Sequence, residues 1–203
     1  MNWLAHIVLS HRSIDYQVGN LLADPFKGKT WPNSTSMINA GFKMHSSIDS
    51  FTDSHPLFLQ SKKRLGEKGY LKAVVIDVTY DHLLLKHWQT FVEKNSTEFI
   101  NNFYSQSTQQ SSYPTSAMSF LKRVAEHKVL SSYDSIEGLS LAFSRIEHRL
   151  SKRVLAKDNL LNYMPRVMDN IDLIEHDFLL FFPELVDHFK QQSGFEHDEH
   201  WLR

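Results

Sequence analysis

The chain has 203 residues, 41% of them apolar and 22% charged, with a net charge of −1. That is enough for one globular domain with a sizeable core, and it argues against extensive disorder. Cysteine is absent, which excludes disulfides, thiolate-bound zinc and a cysteine nucleophile, while near-neutral charge without an aromatic-plus-basic platform argues against a nucleic-acid binder.

Only 7 glycines and 6 prolines occur, so long helices are favoured over a turn-rich β architecture and an all-α, single-domain bundle over residues 1–203 is expected. Met1 to Ser10 is apolar but lacks a basic leader and a small-residue cleavage site, so no signal peptide is expected. Helical periodicity places elements at Gly41–Thr52, stopped by Pro56, and at Lys72–Phe91. Shorter helices are predicted at Ser96–Tyr104 and Ser119–Val129. The Ser/Gln-rich stretch at 105–119 between them, with Pro114, reads as a surface loop. Ser135 opens a further helix, whose apolar stripe runs from Leu139 through Phe143, Ile146 and Leu150 to Val154. Leu160–Phe182, interrupted near Pro165, and Pro183–Gln192 complete the set, and the acidic tail Glu196–His200 is expected to fray unless Trp201 packs back. The apolar patch Phe178–Phe182 is far shorter than the roughly 20 residues that span a bilayer. A cytoplasmic protein with no membrane attachment is therefore the expectation.

Histidine and aspartate are concentrated in the first half. His45 and Asp49 stand four apart on one helix face, as do Asp77 and Asp81 on the next long helix. Asp77 and Asp81 border the apolar stripe of Val74, Val78 and Leu85, and a carboxylate aimed toward a core needs a partner. A divalent cation is one such partner; basic or hydroxyl groups are another. With Asp24, His82 and His6 nearby in sequence, the donors are imidazole and carboxylate without sulfur. That mix suits Mn²⁺, Mg²⁺ or Fe²⁺, and zinc is also compatible. Each pair alone equally fits a cap, an exposed ion pair or a satisfied core residue. No Walker-type loop, dinucleotide fingerprint or Gly-x-Ser-x-Gly elbow occurs. Spacing goes as far as a candidate metal hydrolase.

Four ordered motifs carry a resemblance. They are Met1-Asn2-Trp3-Leu4-Ala5-His6; Gly19-Asn20-Leu21-Leu22-Ala23-Asp24; Gly41-Phe42-Lys43-Met44-His45 continuing through Asp49 to His55-Pro56; and Asp77-Val78-Thr79-Tyr80-Asp81-His82 with Lys86-His87-Trp88. In these, and in Leu130–Tyr133, Arg149-Leu150 and Phe178–Leu185, the chain resembles the bacterial acyl carrier protein phosphodiesterases, a divergent branch of the HD-type phosphohydrolases.

The resemblance implies an all-helical fold and metal-dependent removal of 4′-phosphopantetheine from holo-acyl carrier protein, giving the apo form. It implies Asp24, His45, Asp77 and Asp81 as ligands of a divalent metal ion, with Mn²⁺ expected first and Mg²⁺ or Fe²⁺ as alternatives. Asp49 is expected to orient the attacking water or a ligand histidine, and His6 and His82 to act as ligand or proton donor. Asn20, Lys43 and His55 are candidates for binding phosphate. Arg145, Arg149, Lys152 and Arg153, at i, i+4, i+7 and i+8, form a basic stripe suited to docking an acidic carrier protein, although a solvated helix face has the same pattern. Ser46-Ser47 stands where the family is expected to carry a basic pair. Two other readings remain: an HD-type phosphohydrolase of nucleotides or small phosphodiesters, and a non-catalytic module that binds carrier protein. Oligomeric state is not legible in the sequence.

Overall fold

A computed structural model describes residues Met1–Arg203. Twelve helices account for nearly all regular structure: α1 (Trp3–Val8), α2 (Ile14–Leu22), α3 (Ser36–Ser54), α4 (Pro56–Arg64), α5 (Lys72–Lys86), α6 (Trp88–Phe91), α7 (Ser96–Ser107), α8 (Thr115–Glu126), α9 (Ile136–Glu147), α10 (Lys152–Leu155), α11 (Met164–Asp169) and α12 (Ile171–Ser193). No sheet forms; a single bridge joins Val92 to Leu202. The all-α expectation holds. No helix is long and apolar enough to cross a membrane.

Helix α1 has six residues, all buried, and so short a helix would not persist alone in water. Its own N-cap residue, Asn2, makes no capping bond with its side chain. The cap comes from α5 instead: Asp81 Oδ2 accepts from the backbone N–H of Leu4 at 2.8 Å, and Oδ1 from that of Ala5 at 3.2 Å. Two of the orphan donors that begin every helix are thus satisfied across the core.

Helices α2 and α3 cross with almost no gap. A Cβ at Gly19 would run into the carbonyl of Ile38, and one at Gly41 into the carbonyl of Tyr16 and the backbone nitrogen of Asn20. Glycine at both positions permits an approach that any side chain would prevent. On the opposite side, α12 lies across α3, α4 and α5, burying Phe178, Phe181, Phe182, Leu185 and Phe189.

Several boundaries differ from expectation. Helix α3 starts earlier, where Thr35 Oγ1 accepts from Ile38 N. The predicted Lys72–Phe91 helix breaks at His87. There the His87 ring and Lys86 Nζ both engage Glu175 of α12, and the Trp88 indole turns to donate to Lys94 O. The Ser/Gln-rich loop is shorter than expected and spans 108–114, because α7 extends to Ser107 and α8 begins at Thr115. Pro183 lies inside α12 and does not start a new helix. It removes one hydrogen bond, but apolar burial continues on both sides of it. The C-terminal tail does not fray: Leu202 is fully buried and the Arg12 guanidinium sits 3.9 Å from the centre of a Trp201 ring.

Candidate metal centre

Three elements converge beneath the α2–α3 crossing. Helix α1 contributes His6, α3 contributes His45 and Asp49, and the residues after α2 contribute Asp24. One ligand atom each from His6, His45 and Asp49 lies within 4.8 Å of the others. The two imidazoles stack with centroids 4.0 Å apart. His6 Nε2 is 3.2 Å from Asp49 Oδ1, and His45 Nε2 is 3.1 Å from Asp49 Oδ2 and 3.2 Å from Asp24 Oδ1.

Asn20 sets both rings. Its side-chain amide donates to the carbonyls of His6 (2.7 Å) and Leu9 (3.0 Å) and to Ser10 Oγ (3.0 Å). Those carbonyls can only accept, so Oδ1 must be the atom turned toward His6 Nδ1 at 2.9 Å, and Nδ1–H donates to it. The main-chain carbonyl of the same residue accepts from His45 Nδ1–H at 2.8 Å. Both rings therefore direct Nε2 at the cluster. This is the arrangement in which an outer carbonyl fixes the tautomer of a metal-binding histidine.

The two Nε2 atoms face only acceptors: Met1 O at 3.1 Å, both oxygens of Asp49, and Asp24. Such an oxygen-rich surface needs positive charge, supplied by protons or by a cation. Burial alone would lower the His45 pKa, but hydrogen bonds to Asp24 and Asp49 outweigh it and push it up to about 9. Burial prevails at His6, whose pKa is lowered. Burial would raise Asp49, yet His45 and His6 hold it well below the usual carboxylate range. Asp24 is also lowered, first by its hydrogen bond with His45. One proton on His45 thus leaves His6 presenting a lone pair to oxygens. A divalent cation among two imidazoles and one or two carboxylates would satisfy both, so the donor set fits a hard or borderline ion.

The other expected site residues supply no ligand atom to this cluster. Asp77 and Asp81 do not join the cluster. Asp77 Oδ1 is 2.8 Å from the amino group of Met1, and its pKa is raised by burial against the pull of that amine. Asp81 is consumed in capping α1, and burial raises it to about 7 despite the two N–H donors. His82 Nδ1–H donates to Tyr133 O at 2.7 Å, away from the cluster. Asn20 is fully buried with its amide engaged, so it orients ligands and has no free donor for phosphate. Lys43, two residues from His45, projects toward a different groove beside Ser47 and Gln192. His55 caps α4 by accepting from Leu57 N and pairs with Glu184, about 15 Å along the helix from His45. Ser47, within the serine pair, hydrogen-bonds His188 of α12 at 2.9 Å. The basic stripe is not continuous: α9 ends at Glu147, and Ser151 caps the separate helix that carries Lys152 and Arg153. Arg145 and Arg149 line a cavity beside α1.

The family description "Acyl carrier protein phosphodiesterase" matches residues 1–185. The chain belongs to the acyl carrier protein phosphodiesterase family. Relatives carrying that family name include one from Photorhabdus laumondii, 33% identical over 109 residues (52% of this chain, 54% of the relative). Another, from Pectobacterium atrosepticum, is 32% identical over 108 residues (52% and 56%). A third, from Escherichia coli K12, is 35% identical over 89 residues (43% and 46%). The chain spans about half the length of the curated relatives it matches. No solved structure matches it, so the HD-type likeness of the fold has no structural counterpart here.

Proposed function

We propose that this member of the family is a metal-dependent phosphodiesterase that releases 4′-phosphopantetheine from holo-acyl carrier protein. The observation that carries the reading is the convergence of His6, His45 and Asp49, with both histidine tautomers fixed by one buried asparagine. The relatives' name supplies the substrate. His6, His45 and Asp49 would hold the ion, with Asp24 at its open side. A bound Mn²⁺, or Mg²⁺ or Fe²⁺ in its place, supplies an acidified water and neutralises charge on the phosphoryl oxygens.

The chain's own groups do the rest. Asp24, with its side chain 68% exposed, stays ionised and accepts a hydrogen bond from the attacking water, which aims the water's oxygen at phosphorus. Arg149 lines the same cavity as Asp24 and lies with its guanidinium 5.1 Å from the Trp3 ring, so it can bind a phosphoryl oxygen without rotating away. Water's oxygen ends on phosphorus and its hydrogen on the departing serine oxygen, giving apo-carrier protein and 4′-phosphopantetheine. Arg145 in α9, Arg149 in the link after it, and Lys152 and Arg153 in α10 give an acidic carrier protein a positive approach to the mouth. The cytoplasm is the proposed compartment.

The test is intact-mass analysis of holo-acyl carrier protein incubated with the chain and Mn²⁺. Loss of the phosphopantetheine mass that disappears with a chelator and in Asp49→Ala is expected. No loss, with stoichiometric metal binding retained, would move the substrate to a small phosphodiester. No loss and no metal binding would sink the reading.

A further inference from the structure

The chain leaves α2 at Leu22 and re-enters a helix at Ser36. Asp24 of the candidate metal centre stands near the start of this connection, and residues 25–34 after it carry Lys27 and Lys29 but no acidic residue. The loop is held from within. Phe26 N donates to Leu22 O at 2.9 Å, Lys27 N to Asp24 O at 3.0 Å and Gly28 N to Ala23 O at 2.8 Å. Phe26 meets Trp31 edge to face, and Trp31 packs on against Phe42 and Tyr113. Lys27 and Gly28 are both left-handed, at φ 53° and 70°, a conformation that costs a lysine roughly 1–2 kcal/mol. The turn leaves Lys27 and Lys29 exposed.

Helix α8 faces this loop with Ser116, Phe120 and Arg123, spaced i, i+4, i+7 along one side. With Pro25, Phe26 and Lys27 they border a cleft of about 350 Å³. Pro25 and Phe120 also border the cavity lined by Asp24 and Arg149, so the cleft opens onto the metal centre. The lysines and arginines that form ion pairs in this fold are Arg12, Arg64, Lys86 and Lys94. Lys27, Lys29, Lys122 and Arg123 are exposed and unpaired. Glu126, at the end of α8, is the one carboxylate that α8 and residues 25–34 set beside these four cations.

We propose that the cleft between residues 25–34 and α8 is the surface on which an acidic carrier protein docks. The proposal rests on the reading of the neighbouring centre as a carrier-protein phosphodiesterase. Unpaired cations crowded on a small area repel one another, and a partner with several carboxylates on one face relieves that repulsion. Phe26 and Phe120, partly exposed between the cations, give the same partner an apolar contact from which water is excluded. Lys152 and Arg153 border neither the cleft nor the cavity at Asp24. They attract the partner at range, whereas the cleft holds it in place. A carrier protein seated between the loop and α8 has its modified serine at the entrance to the metal centre. The surface therefore selects a phosphodiester borne by an acidic protein over a free one.

Steady-state kinetics of the Mn²⁺-loaded protein test the assignment, with holo-carrier protein and with bis-p-nitrophenyl phosphate, a diester that has no protein to dock. The cleft variants are Lys27→Glu/Lys29→Glu and Arg123→Glu. Lys63→Glu is the control, an equal change of charge to Arg123→Glu on α4, which borders no part of the cleft. KM for the carrier protein should rise about tenfold or more in both cleft variants while kcat stays within about threefold. Their log(kcat/KM) should also fall less steeply with added salt than that of wild type. The control should remain within about twofold of wild type. A carrier-protein KM within about twofold of wild type in both cleft variants overturns the surface. So does a loss of equal size on the small diester, which would place these cations at the centre itself. If wild type does not turn over the carrier protein, the phosphodiesterase reading falls, and anisotropy titration of labelled holo-carrier protein decides the surface alone. Binding weakened about tenfold in the cleft variants keeps the proposal, and binding that is absent or equal in all variants removes it.

Discussion

Two carboxylates of this fold, Asp177 and Asp49, are both gripped by basic side chains, yet they serve opposite ends. Asp177, in α12, is fully buried and completely answered. Arg64 donates to its two oxygens at 2.7 and 3.0 Å, Ser61 at 2.9 Å and Gln60 at 2.9 Å, with Tyr80 behind Ser61. Asp49 keeps 40% of its side chain exposed and shares its partners with another carboxylate and a backbone carbonyl. Donors match acceptors in the first region, and acceptors exceed donors in the second. Matched polar groups inside a protein lock helices together. A surplus of acceptors with an opening to solvent is a place where a cation can be held. The difference between strut and site lies in that imbalance, since both regions use charged residues on helices.

Substitution can break the contrast from either side. The largest effect is expected at the site: a cation contributes several kcal/mol of transition-state charge stabilisation, so His45→Ala should lower turnover on the order of a thousandfold. Its melting temperature should fall less than in Asp177→Ala, because the ring is buried but its partners Asp24 and Asp49 are 68% and 40% exposed and can turn to water. Steady-state kinetics and thermal unfolding of the same preparation check both halves. Asp177→Ala should behave in reverse, costing about 3–5 kcal/mol in urea unfolding because it strands a paired guanidinium, while the folded fraction still binds metal.

A third substitution sharpens the boundary. Asn20→Ala keeps every metal donor and the main-chain carbonyl that holds His45 but frees the His6 ring, and metal affinity by competition titration should weaken by about 10- to 100-fold. Affinity unchanged from wild type would show that the His6 ring is held by packing alone.

The smallest effect concerns Asp81. Its pKa stands at about 7 in the fold against an ordinary 3.8, so between those values the folded chain holds a proton the unfolded chain has released. Folding then binds protons, and this residue's contribution to stability falls as pH rises from about 4 to 7. Wild type should lose stability relative to Asp81→Asn over that window in denaturant titrations. Parallel pH curves would show that Asp81 is ionised against the α1 amides throughout.

The sequence made the helical class legible because α3, α5 and α12 carry long apolar stripes with few breakers. It also placed His45 and Asp49 on one face, and the structure brings them together because four residues return a helix nearly to the same side. Asp77 and Asp81 show where periodicity stops. It put Asp81 against the core, where the structure finds it, but a buried carboxylate is equally served by a cation or by two backbone N–H groups. Which one serves it depends on α1, contacted across 77 residues of chain. The role of Asn20 was out of reach for the same reason, since it acts through one side-chain atom and one main-chain atom on residues from two other helices. The interruption after Glu147 did leave a trace, because Ser151 immediately before Lys152 is a capping residue.

The crossing at Gly19 and Gly41 has a consequence for how this protein can change over generations. The position of the His45 ring depends on a carbonyl of α2, and the calibre of the gap beneath that carbonyl is set by two hydrogens where other residues carry a methyl group. A screen for inactive clones should therefore return these two chemically inert positions beside the imidazoles and carboxylates. Drift can repaint most of the surface of α2 and α3 freely, but the spot where their bare backbones touch works as a gauge block, and a single added carbon puts the instrument out of true.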